Sequence, residues 1–336
     1  MRSAFGTTFD VPSGYLNTAS TGVPPTPTAE AVTAAAARWA SGQDGPGATD
    51  ASVAVAREAF GRLVGVPAER VAAGASASQL VSLVAASLPE GSSVLVARGE
   101  FTSLTFPFAA RGLRVVEVDL EEVPAAAGGH DLVAVSVAQS ADGRLVDLEG
   151  LRAAGAPVLL DASQAVGWLP LDLGWADWVV GVGYKFLMSP RGCAWLACSP
   201  GALERTVPAA ANWYAGDEPW NTVYGLPLRL APDARRLDLS PVWLSQVGAA
   251  VSLPYLASLD LAAVRDHAVG LADSLLVGLG LPARGSAIVS LDLPAAAVDR
   301  LAAAGVRSGV RAGRIRLAFH LYNAAADVEL VLEALR

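Results

Sequence analysis

The sequence predicts an α/β protein: a large domain with a mainly parallel central sheet flanked by helices, then a small C-terminal α+β domain. Three observations predict it. Short β-branched apolar runs alternate with helical stretches from residue 71 onward. Several of those runs are apolar throughout rather than at every second position, as strands buried on both faces require. Beyond about residue 260 the pattern changes to strand, helix, strand, strand, helix. With 336 residues the chain can build two cores. The expected boundaries are 1–28 for an N-terminal arm, 29–259 for the large domain and 260–336 for the small one.

The arm is rich in Pro, Gly, Ser and Thr and reads as extended chain. Residues 29–40 form an alanine-rich helix, and 52–64 a second helix after a Gly/Pro loop. Strands follow at 71–73, 93–97, 113–118, 132–137, 158–161, 178–181 and 193–197, with helices ending near 88 and over 104–111 between them. Residues 212–241 are irregular and aromatic, with Trp213, Tyr214, Trp220 and Tyr224. A loop of that length is functional or interfacial in a compact domain. Residues 245–274 are largely helical. The final module places strands at 287–291, 306–310 and 314–319 and helices at 295–304 and 326–335.

Composition narrows the setting. Apolar residues make up 53% of the chain, much of it helical alanine, yet no uninterrupted apolar stretch reaches the roughly 18 residues of a membrane helix. The first residues lack the apolar region of a secretory signal. A net charge of −8 argues against nucleic acid as the main partner. Cys193 and Cys198 would point to opposite faces of one strand, which disfavours a disulfide, and His130, His267 and His320 have no metal-ligand spacing. The expectation is a reduced, cytoplasmic, soluble protein.

One residue stands apart. Of 24 basic side chains, only Lys185 is lysine. Arginine supplies charge but keeps its proton, so it cannot act as an amine nucleophile; a lone lysine invites Schiff-base chemistry with a carbonyl. Drift toward arginine under GC-rich coding would leave the same count. The neighbouring motifs bear on the choice, because open α/β sheets place ligands at strand ends. Gly74-Ala75-Ser76-Ala77-Ser78 sits between a strand and a helix, where free N–H groups and hydroxyls can cradle an anion; an ordinary serine helix cap is the reading the motif favours on its own. Asp161 ends an apolar strand, where a carboxylate needs a cation or strong donors, or caps the next helix. Lys185 lies 24 positions later, just past another strand. An anion cradle, an acid and an amine together suit a cofactor with a phosphate, a protonatable ring nitrogen and an aldehyde, which is pyridoxal 5'-phosphate (PLP).

These residues resemble the class V aminotransferase family of PLP enzymes, of fold type I, which includes cysteine desulfurases, kynureninase, isopenicillin N epimerase-like proteins and the C–S lyase of ergothioneine synthesis. The resemblance starts at Tyr15-Leu16-Asn17-Thr18-Ala19-Ser20-Thr21-Gly22 and ends at Arg316-Leu317-Ala318-Phe319-His320-Leu321-Tyr322-Asn323. Its most specific part is Asp161-x-x-Gln164 followed by Tyr184-Lys185-Phe186-Leu187 and Pro190-Arg191-Gly192. It implies that Lys185 forms the Schiff base and moves protons, that Asp161 pairs with the pyridinium nitrogen, and that Gln164 and Ser140 lie near the ring's phenolic oxygen. Ala75, Ser76 and Tyr184 would hold the phosphate, Phe101 would stack on the ring, and Arg316 would bind the substrate α-carboxylate. Phe101 as plain core is the alternative for that residue. His320 shares a strand face with Arg316 if the alternation continues, with a turn contact as the other reading. The family forms homodimers, which would let Thr222 of a second copy reach the phosphate, and relatives place another substrate-facing arginine near Arg235 and Arg236.

The departures from the family pattern bear on the reaction. Desulfurases carry a nucleophilic cysteine on a loop before the final arginine strand. The corresponding residues 304–313 here contain none, which argues against persulfide formation. An amino-acid aminotransferase is the leading expectation. C–S or other β-elimination is the alternative, followed by racemisation or an inactive PLP fold.

Overall fold

Seven strands form the central sheet, and their burial explains their composition. The structure, a computed structural model, describes residues 1–45 and 47–336. In spatial order the strands are Val71–Gly74, Ala194–Cys198, Trp178–Val182, Val158–Asp161, Leu132–Ser136, Ser93–Ala97 and Arg114–Val118. The last five pair in parallel. Ala194–Cys198 alone runs against both of its neighbours. Every residue of the sheet outside Arg114–Val118 is buried. Alternate positions feed opposite faces: Leu95, Val133, Val135, Leu160 and Val179 join one apolar cluster, and Val94, Val96, Ala134, Leu159 and Val180 the other. Helices cover both faces, so both phases of each strand must be apolar. Cys193 and Cys198 fall in different clusters and are free thiols, each pushed up to about 12 by burial.

The two sheet edges are treated differently. Arg114–Val118 exposes Arg114 and Glu117, charges that discourage pairing with another strand. The other edge is closed from within the chain. Asp238 Oδ1 accepts from Ala73 N at 2.7 Å, and Leu239 N donates to Ala73 O at 2.9 Å. Asp238 also takes both guanidinium nitrogens of Arg57, at 3.0 and 2.6 Å, with both side chains buried. This bidentate pair ties the helix Asp50–Val64 and the irregular segment after Asn212 to the strand that ends at the candidate cradle.

The C-terminal elements form a three-stranded antiparallel sheet, Ile288–Leu291, Arg314–Ala318, Gly309–Arg311 in spatial order, with helices Ala295–Ala303 and Ala325–Leu335. The expected order of elements is present, and their apolar side chains continue the cluster on one face of the large sheet.

Several boundaries differ from the sequence reading. The arm is not simply extended: Arg2–Ala4 and Thr7–Phe9 form a hairpin. The first helix begins at Thr26 rather than 29, because a proline is tolerated in the first turn, where its missing N–H has no helical partner. The strand expected over 306–310 shifts to Gly309–Arg311, since Arg307 pairs with Tyr15 of the arm instead. The stretch 245–274 is two helices, Trp243–Ala257 and Leu261–Gly278, bent by 93°; Asp260 restarts the chain by accepting from Ala262 N and Ala263 N. Among the described residues no single helix is long and apolar enough to cross a membrane.

Asp238→Ala would leave the Arg57 charge buried and the Ala73 N–H unpaired, so unfolding free energy should drop by about 3–5 kcal/mol. Denaturant melts check this, and the paired replacement Arg57→Leu with Asp238→Leu should recover a large part of the loss if the penalty is an uncompensated charge.

Candidate active site

The carboxyl edge of the large sheet gathers the predicted residues by register. Gly74 and Val182 both pair with Ala194, on either side of it. The cradle one residue past Gly74 and Lys185 three residues past Val182 therefore leave the sheet at the same level, two strand spacings or roughly 10 Å apart. Asp161 ends its strand opposite Ser136. Ser140 and Phe101 follow the next two strand ends.

Lys185 is 7% exposed. Its Nζ stands 5.3 Å from the centre of the Phe101 ring and 5.8 Å from that of Tyr184. Among the described residues Nζ donates no hydrogen bond and forms no ion pair. Burial lowers its pKa to about 8; the Asp161 charge resists that shift, while Arg316, Arg311 and Arg191 add to it. Lys185 is thus an amine that loses its proton well below the usual lysine range.

The arm encloses this amine. Gly22 N donates to Tyr184 O at 2.8 Å, and a Cβ on Gly22 would stand 2.0 Å from Lys185 O, so only glycine lets the backbones meet. Gln164 Nε2 reaches Ala19 O at 3.0 Å and Ser140 Oγ at 3.1 Å, while its Oε1 is buried without a partner. Asp161 is buried, and its Oδ1 accepts from Ser163 N at 2.8 Å. Phe101 is 38% exposed and so is not core. Tyr184 packs under Arg191, whose guanidinium carbon lies 5.0 Å from the ring centre.

Arg316 is 1% exposed and has no carboxylate partner among the described residues. Its Nη1 binds the carbonyl and hydroxyl of Ser140, its Nη2 binds Ser20 Oγ at 2.8 Å, and its buried Nε is unpaired. Burial and the nearby Arg311 charge lower its pKa to about 10.

The cradle carries the serine cap of its motif and leaves further N–H groups free. Ser76 Oγ caps the helix Ala77–Ser87 by accepting from Gln79 N at 3.3 Å, and Ala75 N donates to Gln79 Oε1 at 3.3 Å. Those groups are engaged locally. Among the described residues, the N–H groups of Ser76, Ala77 and Ser78 take no protein acceptor, which leaves a row of donors at a helix N-terminus.

Thr222 bonds the carbonyls of Trp213, Glu218 and Pro219 within its own segment. Arg235 pairs with Asp233. His320 does not line the site: the strand stops at Ala318, and the fully buried imidazole sits at 2.9 Å from Phe186 O, its pKa lowered to about 3 by burial. There it braces the lysine loop.

Sequence reasoning missed Glu100. It is buried, and it accepts from Ser136 N at 2.9 Å, Ser136 Oγ at 2.6 Å and Gln139 Nε2 at 3.0 Å, which fixes the Phe101 loop to the Ser140 loop. Burial raises its pKa despite those donors. An acid directly beside the predicted stacking ring was the available signal. Ser20 and Gly22 were also missed as site residues, although they lie in the matched N-terminal motif. Among the described residues no cluster of His, Cys, Asp and Glu could hold a metal.

The chain superposes on a cysteine desulfurase from Thermococcus onnurineus NA1 with a TM-score of 0.80 at 19% identity, covering 96% of this chain and 93% of that one. It superposes on a cystine C–S lyase, solved with cysteine persulfide, with a TM-score of 0.85 at 19% identity, covering 96% and 97%. This chain has the fold of the class V PLP enzymes. In sequence it is 29% identical over 184 residues to isopenicillin N epimerase of Streptomyces clavuligerus; the match covers 47% of this chain and 46% of that protein, so about half the length of the curated relative is spanned. No protein-family model matches the chain.

With Nζ-labelled lysine, cofactor-free protein should give a single side-chain amine resonance whose pH titration is centred near 8. Gly22→Ala should move that midpoint upward, toward the ordinary value of 10.5, because a displaced arm lets water reach the ammonium. An unshifted midpoint in the variant would show that the arm does not cause the burial.

Proposed function

We propose that this chain is a PLP-dependent enzyme that transforms an amino acid through Lys185, by transamination. The observation that carries the reading is the sole lysine of the chain, buried with a free Nζ at the sheet edge where an acid, an unpaired arginine and a row of N–H donors converge. The residues fit the cofactor. The N–H groups of Ser76, Ala77 and Ser78, beside Ala75 and Tyr184, suit its phosphate. Asp161 suits a protonated ring nitrogen, Gln164 and Ser140 the phenolic oxygen, and the open face of Phe101 the flat ring. A variant of the same cystine C–S lyase, solved with glycine covalently linked to its PLP cofactor, has this fold.

When bound, PLP supplies an aldehyde for an amine and an electron sink for charge developing at the substrate α-carbon. The protein does the remaining work. Arg316 holds the α-carboxylate through a guanidinium kept in place by Ser140 and Ser20. Lys185 Nζ, with a pKa near 8, both accepts and returns a proton at working pH. The arm at Ala19–Gly22 keeps water from that proton. Asp161, oriented by Ser163 N, would meet the ring nitrogen.

The sequence relative, an epimerase, favours a second reading, in which the proton returns to the opposite face of the α-carbon. We also propose a homodimer in the cytoplasm. Tyr224, Leu226 and Leu228 are 92%, 90% and 64% exposed beside Thr222, an apolar surface that supports pairing with a second copy.

Protein mixed with PLP should show a visible absorption band that borohydride bleaches and that Lys185→Ala lacks. The same variant should lower turnover of its amino-acid substrate at least about a hundredfold. Keto acid as product supports transamination, ammonia with keto acid supports elimination, and inverted optical rotation supports epimerisation. No band in reconstituted wild-type protein sinks the proposal.

A further inference from the structure

Lys185 and the cofactor reading leave a second basic group at the site unexplained. Arg311 lies on the strand Gly309–Arg311, which joins Arg314–Ala318 through a two-residue turn, Ala312-Gly313, with φ of 48° and 73°. Such a turn matches the strand twist and gives the hairpin a single geometry. Its register puts Gly309 opposite Arg316 and Arg311 opposite Arg314. Residues two apart share a face, so Arg311, Arg314 and Arg316 all project from one side of the hairpin.

Like charges placed opposite each other on a sheet repel. The chain relieves one of the three: Arg314 turns to Ser290 Oγ at 3.0 Å and has Asp292 at 3.7 Å. The other two receive no acid among the described residues. Instead they converge on one hydroxyl. Ser20 Oγ accepts from Arg316 Nη2 at 2.8 Å and from Arg311 Nη2 at 3.2 Å. The space that permits this is a missing side chain: a Cβ on Gly309 would stand 3.0 Å from Asn17 Oδ1, 3.4 Å from Ser20 Oγ and 3.7 Å from Arg316 Nη2. Asn17 Oδ1 and Arg316 Nε are both buried there without partners. The buried Arg57 shows that this chain supplies a carboxylate when a guanidinium is merely structural. Two guanidiniums held side by side with no internal acid are arranged for anionic groups from outside.

We propose that the substrate carries two acidic groups, an α-carboxylate on Arg316 and a second acid, at the end of a short side chain, on Arg311. The assignment of the α-carboxylate rests on the PLP reading above. Arg311 is then the residue that selects acidic over neutral amino acids, and it does so from the hairpin that stands where desulfurases carry their cysteine loop. Arg316 serves every amino acid; Arg311 distinguishes among them.

The test is calorimetric binding of succinate and butyrate, acids of the same carbon number with two and one carboxylates, to PLP-treated protein. Succinate should bind at least about tenfold more tightly than butyrate. Arg311→Gln should remove that preference and leave butyrate binding within about twofold, while Arg314→Gln should preserve it. Equal binding of the two acids, a preference that survives Arg311→Gln, or its equal loss in Arg314→Gln would each overturn the assignment. The absorption band of lysine-bound PLP is read in the same sample. If it is absent, the cofactor reading fails, yet the succinate and butyrate comparison still decides whether Arg311 and Arg316 form a two-acid site.

Discussion

The site depends on the contact between the backbone of Gly22 and the carbonyl of Lys185, which no residue with a side chain permits. The contact brings the N-terminal arm over the lysine loop, and the same arm runs on into the C-terminal unit. Leu16 N donates to Arg307 O, Ala318 N donates to Leu16 O, and Arg2 and Gly14 N both bind Asp327. One strip of chain thus spans the lysine loop from the large sheet and the arginine strand from the small one. Ala19 and Ser20, between those anchors, are where Gln164 and Arg316 make their contacts. Burial of the amine and placement of Arg316 therefore have a common cause.

Charge is distributed unevenly as a result. Among the described residues the buried arginines are Arg57 and Arg316. Arg57 meets Asp238 in a bidentate pair that closes a sheet edge. Arg316 meets only hydroxyls and a carbonyl, and next to it an amine is buried with a lowered pKa. Burying cations without acids costs stability. On the proposed reading, a fold that can pair an arginine fully, and does so once, keeps the cost at the other place because a ligand offsets it there. Perturbed titrating groups gathered at strand ends are the physical signature of a working site.

Much of this was legible in the sequence because strand ends are legible. Short apolar runs located all seven large-sheet strands, and residues just past such runs fall on one edge whenever the strands are parallel. Lys185, Asp161 and Ser76 follow from that rule, while Phe101 came only from the family resemblance. Contacts between segments far apart in the chain were not legible. Glu100 joins Ser136 across two adjacent strand ends, and Ser20 meets Arg316 across 296 positions. The strand expected at 306–310 shifted for the same reason, since Arg307 was claimed by Tyr15 of the arm. Local pattern gives an element its type; its neighbours decide where it ends.

The hairpin Gly309–Ala318 shows how one architecture can be turned toward different substrates. Its central strand must deliver Arg316, because that strand is paired on both sides and anchored by the arm. The turn before it is free to vary, being exposed at Ala312 and Gly313. A long turn there can carry a reactive group to the substrate; a two-residue turn cannot reach, but it holds its flanking side chains firmly. In this chain the turn is short, cysteine is absent from it, and the side chain it fixes is Arg311. On the proposed reading the loop contributes recognition of charge, and the bond-changing work is left to the amine of Lys185.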